Sequence, residues 1–169
     1  RSAPGGALLN GVATTAGTNI VLNNNDDIQL QNGFTNNGTI NMNSVGNLTE
    51  MVVEGTQTLT GTGEIVMGQN GNNRVVVNAD GTVVTLDANQ TIRGAGQVLA
   101  NSGGFVNQGT IIADSASDFM RIDAGTNFSN QGTLRATGAA GFDIDGGTKF
   151  TQTGGLVDIQ AGSRIDMTA

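Results

Sequence analysis

One short phrase recurs along the chain and constrains its architecture more than anything else: Phe34-Thr-Asn-Asn-Gly38-Thr-Ile40, Phe105-Val-Asn-Gln-Gly109-Thr-Ile111, Phe128-Ser-Asn-Gln-Gly132-Thr-Leu134 and, more loosely, Phe150-Thr-Gln-Thr-Gly154-Gly-Leu156. The last three copies begin 23 and 22 residues apart. A fixed spacing in the range of roughly 20 to 50 residues marks a solenoid, in which each repeat buries its apolar face only against its neighbours.

Within a repeat, apolar and polar residues alternate. Asp27-Ile28-Gln29-Leu30, Met120-Arg121-Ile122-Asp123, Phe142-Asp143-Ile144-Asp145 and Arg164-Ile165-Asp166-Met167 each read as a strand with one face in and one face out. Turn signals such as Asn32-Gly33, Asn37-Gly38 and Gly103-Gly104 separate them. From Gly109 to Ile159 every turn offers three such strands, at 110–113, 119–123 and 127–130, then 133–136, 142–145 and 149–152. The chain is therefore expected to be all-β: a right-handed, single-stranded parallel β-helix of about seven turns with three short strands per turn. At ~4.8 Å per turn that makes a rod of about 34 Å.

The earlier turns are less regular. Leu59-Thr-Gly-Thr-Gly63-Glu-Ile65 keeps the phrase, but a near-copy, Ile92-Arg-Gly-Ala-Gly96-Gln-Val98, falls out of register with it. An outward bulge or an extra strand is expected within 70–104. The segment 1–19, small and Gly-rich, is expected to be a flexible N-terminal piece, either a free end or a strand given to a neighbouring subunit, with the β-helix covering 20–169.

Stacking assigns roles to the repeated residues. Phe34, Leu59, Phe105, Phe128 and Phe150 are expected to form an inward apolar ladder. Asn36, Asn107 and Asn130 are expected to form an amide ladder at an inner corner. On the outside, counting from the phrase stacks Arg121, Asp143 and Arg164 in one column and Asp123, Asp145 and Asp166 in the next. The second column is the one weak candidate for a metal site, since carboxylates so close repel unless water screens them or a hard cation such as Ca²⁺ lies between them. A solvated acidic face is the competing reading, and no cofactor is otherwise expected.

Composition narrows the function. The chain has no His and no Cys, which removes imidazole- and thiolate-based triads and zinc sites. A net charge of −7, with 7 Lys plus Arg against 14 Asp plus Glu, is a poor match for nucleic acid or anionic lipid. No segment is apolar and long enough to insert in a membrane as a helix. An enzyme is not expected.

With Gly-Gly-Phe105-Val-Asn-Gln-Gly-Thr-Ile111 and Asn127-Phe-Ser-Asn-Gln-Gly-Thr-Leu134 in view, the chain resembles the β-helical shafts of bacterial exported surface proteins, the filamentous-haemagglutinin-like adhesins and autotransporter passengers. That resemblance implies an extracellular or cell-surface protein serving in adhesion, biofilm or surface structure without a cofactor. The strand-like Arg164-Ile-Asp-Met-Thr-Ala169 carries no polar cap. The expectation that follows is a structural building block of a filament, sheath or adhesive stalk, polymerising head to tail through uncapped ends, with a host or matrix glycan as a possible further partner. The alternative is a carbohydrate-binding or polysaccharide-cleaving β-helix acting on its lateral acidic face.

Overall fold

The computed structural model describes residues 6–167 apart from Asp80, 100–102, Ala124, Thr126 and Gly146. Among the described residues there is no helix, and eighteen strands join in parallel pairs into one continuous solenoid. Each turn visits three faces in the same order, so each strand is bonded to its counterparts one turn before and one turn after.

The first face carries Asn19–Leu22, Thr39–Met42, the start of Glu64–Val77, the start of Thr91–Leu99, Thr110–Ala113, Thr133–Ala136 and Leu156–Ile159. Its inward column is almost uniform: Ile20, Ile40, Ile65, Ile92, Ile111, Leu134 and Val157 lie one over another. The second face stacks Ala7, Ile28, Met51, Val75, Val98, Ile122, Ile144 and Met167. The third runs from Val12 through Phe34, Leu59 and Leu86 to Asn107, Asn130 and Gln152. β-Branched and aromatic residues suit such columns because a pleated strand holds them directly against their cross-strand neighbours.

The three inward faces meet in a single apolar core that runs the length of the rod, from Leu22 and Ile28 to Phe142 and Ile144. Most of its side chains, including Leu30, Ile40, Met51, Ile65, Val98, Ile111 and Leu134, are fully buried.

The glycine of the recurrent phrase is required by close approach. At Gly63, Gly109, Gly132 and, in the loosest copy, Gly155, one place after the phrase glycine Gly154, an added Cβ would overlap a carbonyl oxygen of the preceding turn, that of Gly38, Gln90, Gly109 and Gly132 respectively. None of the four has a positive φ. These corners are narrow because the next strand starts at once: the N–H of Thr133 donates to Gly109 O at 2.8 Å, and that of Leu156 to Gly132 O at 2.7 Å. By contrast, Asn32 and Gly33, at φ 56° and 90°, turn the chain from the second face to the third in the left-handed region that favours Asn and Gly.

One expectation is corrected and one is met. The solenoid begins well before residue 20: Ala7–Ala13 is a strand paired in parallel with Ile28–Thr35 of the same chain, bulged at Gly11. Residues 1–5 of the expected flexible segment lie outside the described residues. The irregularity expected within 70–104 is present as a bulge: Gln69 pairs with Ala95 and Arg74 with Gln97, so residues 70–73 of Glu64–Val77 stand opposite Gly96 alone. Ile92 stacks between Ile65 and Ile111 on the first face, so the near-copy of the phrase belongs to a different face from Leu59. The same turn joins its first and second faces through Ala95 alone, whereas the next spans residues 114–119 between them.

Replacing Gly132 by Ala is expected to lower stability by about 1–3 kcal/mol, because a methyl group there must displace backbone. Gly71→Ala, where the new Cβ would meet only Asp118 at ordinary contact distance, is expected to change it by about 0.5 kcal/mol or less. Urea denaturation of the two variants measures the difference.

Candidate functional site

The expected ladders exist in two pieces. Phe105, Phe128 and Phe150 are successive partners, their rings stacked at 5.7 and 5.8 Å between centroids and within 3° and 9° of parallel. Phe34 and Leu59 face the same core but stand in a different column, the one that continues through Leu86 to Asn107. Phe105 instead lies beneath Val84, which lies beneath Gln57.

The amide ladder divides in the same way. Asn107 Nδ2 donates to Asn130 Oδ1 at 2.7 Å, and Asn130 Nδ2 donates to Gln152 Oε1 at 3.0 Å. The same two amides also donate to the backbone of the next corner, to Thr133 O and Leu156 O, each at 3.2 Å. Asn36 belongs to a separate network. Its Oδ1 accepts from the Thr14 hydroxyl at 3.2 Å and from the Gly38 N–H at 3.1 Å, while Gln90 Nε2 donates to its carbonyl oxygen at 2.7 Å. Thr14, Gln90 and Gln152 were missed as members. Gln152 was legible, since it holds the Asn place in the loosest copy of the phrase, but Gln90 lies two turns from Asn36 in a corner with no phrase of its own.

The outward charges of the second face also need correction. Asp27, Glu50, Arg74, Gln97, Arg121, Asp143 and Asp166 form one column. Asp166 therefore sits over Asp143, in the place expected for Arg164. The inward residues decide this, because Ile165 packs over Phe142 and Met167 over Ile144. Arg164, just before the last strand, then pairs with Asp166 of that strand, Nε to Oδ2 at 2.9 Å. Opposite charges meet along the column at Arg74 and Glu50, 3.2 Å apart, and at Arg121 and Asp143, 2.8 Å apart. Phe119 lies against the Arg121 guanidinium at 5.2 Å, a cation–π contact. On the first face Arg93 donates to Asp114 at 2.8 Å and Arg135 to Asp158 at 2.9 Å.

The candidate metal column loses its third member by the same shift. Asp123 and Asp145 remain neighbours, since Ile122 pairs with Ile144 and the Asp145 N–H donates to Ile122 O at 3.0 Å. Asp145 Oδ1 is engaged by the Gly147 N–H at 3.0 Å. Among the described residues no group of three or more carboxylates could hold a metal ion. Burial first, and then the charge of Asp145, raise the Asp123 carboxyl above the usual range, with Arg121 opposing.

Recesses among the described residues open on a corner and on one end of the rod. A shallow one of about 350 Å³ lies where the third face turns into the first, lined by Asn37, Thr39, Thr62, Glu64, Thr91 and glycines. The larger, of about 660 Å³, is at the N-terminal end of the rod, where Leu9, Ile20, Leu22 and Ile28 form an apolar floor beside Asn25, Asp26 and Asp27. At the opposite end, Leu156, Val157, Ile159 and Met167 of the last described turn are exposed, Met167 to 69%. Among the described residues no helix is long and apolar enough to cross a membrane.

Comparisons with protein-family models, with curated proteins and with solved structures found no match.

Two outcomes are expected here. Asn130→Ala strips a buried amide from both its neighbours in the ladder and is expected to cost about 2–3 kcal/mol in urea denaturation. For Asp123 the folded-state pKa lies above the unfolded one, so between them the folded state binds more protons, and stability falls as pH rises through that window. Asp123→Asn is therefore expected to raise the melting temperature at pH 7 and to flatten its decline between the ordinary carboxylate range and neutrality. A lower melting temperature for the variant at pH 7 would contradict the assignment.

Proposed function

We propose that this chain is a structural building block of an extracellular bacterial filament, sheath or adhesive stalk, in which β-solenoid rods join end to end. The observation that carries the proposal is the state of the axial ends. The inward columns of all three faces continue to the last described turn, where Ile159 and Met167 are about half or more exposed, and where Phe150 and Ile165 are partly buried against the core. A strand edge with apolar residues beside it is a template for another strand. The surface that fits it is a second rung of the same kind, with Leu9, Val12 and Ile20 at its inward positions, as at the N-terminal end of another copy. A contact between unlike ends does not close on itself, so it propagates into a fibre.

The long faces support the same reading. Their charged residues meet as cross-strand pairs on neighbouring turns, an arrangement that supports stacking. The resemblance to filamentous-haemagglutinin-like and autotransporter shafts supports an exported role, with adhesion or biofilm structure among the tasks such a fibre would serve. The polar recess around Glu64 favours a second reading, saccharide binding, because hydroxyl, amide and carboxylate groups line a hollow shaped by glycines. It offers no aromatic platform for a sugar ring.

Electron microscopy and sedimentation of the purified chain test the proposal. Concentration-dependent fibres of one rod's width are expected, and Ile159→Lys combined with Met167→Glu is expected to leave dispersed monomers of unchanged circular dichroism. Monomers of the unaltered chain at all concentrations, or fibres undiminished by the two substitutions, would refute end-to-end assembly.

A further inference from the structure

The stack changes character at one place. Down the third face the column is apolar through Val12, Phe34, Leu59 and Leu86 and then becomes amide at Asn107, Asn130 and Gln152. Leu86 thus lies directly over Asn107. Asn107 commits its Nδ2 to the turn below, to Asn130 and Thr133, and its fully buried Oδ1 has no hydrogen-bond partner. Gln90, the buried amide of the turn above, is committed the other way, with Nε2 on Asn36 O at 2.7 Å and Oε1 accepting from Asn36 Nδ2 at 3.4 Å. The two amide networks therefore turn their backs on each other across this junction.

The backbone is unusual at the same level. Ala95 alone makes the corner, between Gly94 at φ 115° and Gly96 at φ 151°. A side chain at Gly94 would overlap Met67 O, and one at Gly96 would overlap Asn73 O. The longer corners on either side are tied across the gap by Asp118, whose Oδ2 accepts from the Gly71 N–H at 3.0 Å. Below the junction the turns become regular, with the stacked Phe105, Phe128 and Phe150 and the continuous Asn107–Asn130–Gln152 ladder.

We propose that this junction is a seam dividing the rod into two cooperative units, residues 7–99 and 104–167, and that the second opens as a block while the first remains folded. In a linear array, stability is the sum of each turn's own contribution and the coupling between adjacent turns. Backbone bonds cross the seam as they cross every other rung, for example Gln108 N–H to Leu86 O at 2.9 Å. What differs is the side-chain coupling down the third face: an apolar residue stacked on an amide leaves a buried acceptor unpaired and weakens that column, while the side-chain ties that do cross the seam, Arg93 to Asp114 and Asp118 to the Gly71 N–H, lie at the corner between the first and second faces. The second unit opens first because it has fewer turns and the first keeps the larger share of fully buried side chains. This inference rests on the fold and is independent of end-to-end assembly.

Native-state hydrogen exchange of the full chain, read by mass spectrometry over a series of low urea concentrations, tests it. Peptides within 104–167 are expected to share one opening step and to exchange about tenfold or more faster than those within 27–99. A smooth decline in protection from turn to turn, or a single step shared by the whole chain, would overturn the seam. Leu86→Asn places a donor over Asn107 Oδ1 and is expected to narrow the difference between the units. If the folded variant keeps the difference unchanged, the unpaired amide is not its cause. If the variant does not fold, the unaltered chain's exchange pattern decides.

Discussion

The parallel backbone ladder is the interaction on which everything else in this rod depends. Once the N–H of each turn is bonded to the carbonyl of its neighbour, successive turns are held at ~4.8 Å, and every side chain is forced to lie over a particular residue of the turn before. A column must then be chemically compatible over its whole length. Isoleucine over isoleucine on the first face meets that condition with little adjustment, as does phenylalanine over phenylalanine at 105, 128 and 150. Asparagine over asparagine meets it because an amide both donates and accepts. Like charges meet it poorly: the outward column of the second face opposes Arg74 to Glu50 and Arg121 to Asp143, but also sets Asp27 beside Glu50 and Asp143 beside Asp166.

The same ladder explains why the corners are so constrained. Where the chain passes from the third face to the first within a two-residue corner, Gln108-Gly109 or Gln131-Gly132, the turns approach until only a hydrogen fits on the glycine. The three-residue corners make the same demand at Gly38, Gly63 and Gly155. The faces carry the repeat, and the corners carry the variation.

That division also sets how much could be read from the sequence. The architecture, the number of turns and the three-strand layout were legible, because alternation within strands and the 22- to 23-residue spacing of the last phrases survive directly in the letters. Register in the earlier turns was not. Residue counts between phrases include the corners, so the single-residue corner at Ala95 and the longer one at 114–119 shift a near-copy of the phrase from one face to another. Phe34 likewise reads as a partner of Phe105 although the strands align it with the Leu86 and Asn107 column. Arg164 was misplaced for a related reason: counting from the phrase ignored that Ile165 and Met167 must sit over Phe142 and Ile144, and burial of two apolar side chains outweighs one exposed ion pair. Of the candidate site, the Asp123 and Asp145 pair was legible and its third member was not. The axial ends became informative only once exposure was known.

Because the columns position every other feature, the register between turns is the quantity to measure. The chain has no cysteine, so pairs can be introduced without interference on the outside of the third face, where Val106, Ser129 and Thr151 occupy one column. Oxidation of the Val106→Cys, Ser129→Cys pair should give an intramolecular disulfide, since these positions are one rung apart at ~4.8 Å. The Val106→Cys, Thr151→Cys pair, two rungs apart at ~9.6 Å, should not cross-link within a chain. Cross-linking of the second pair in preference to the first, or of neither, would contradict a parallel solenoid in this register.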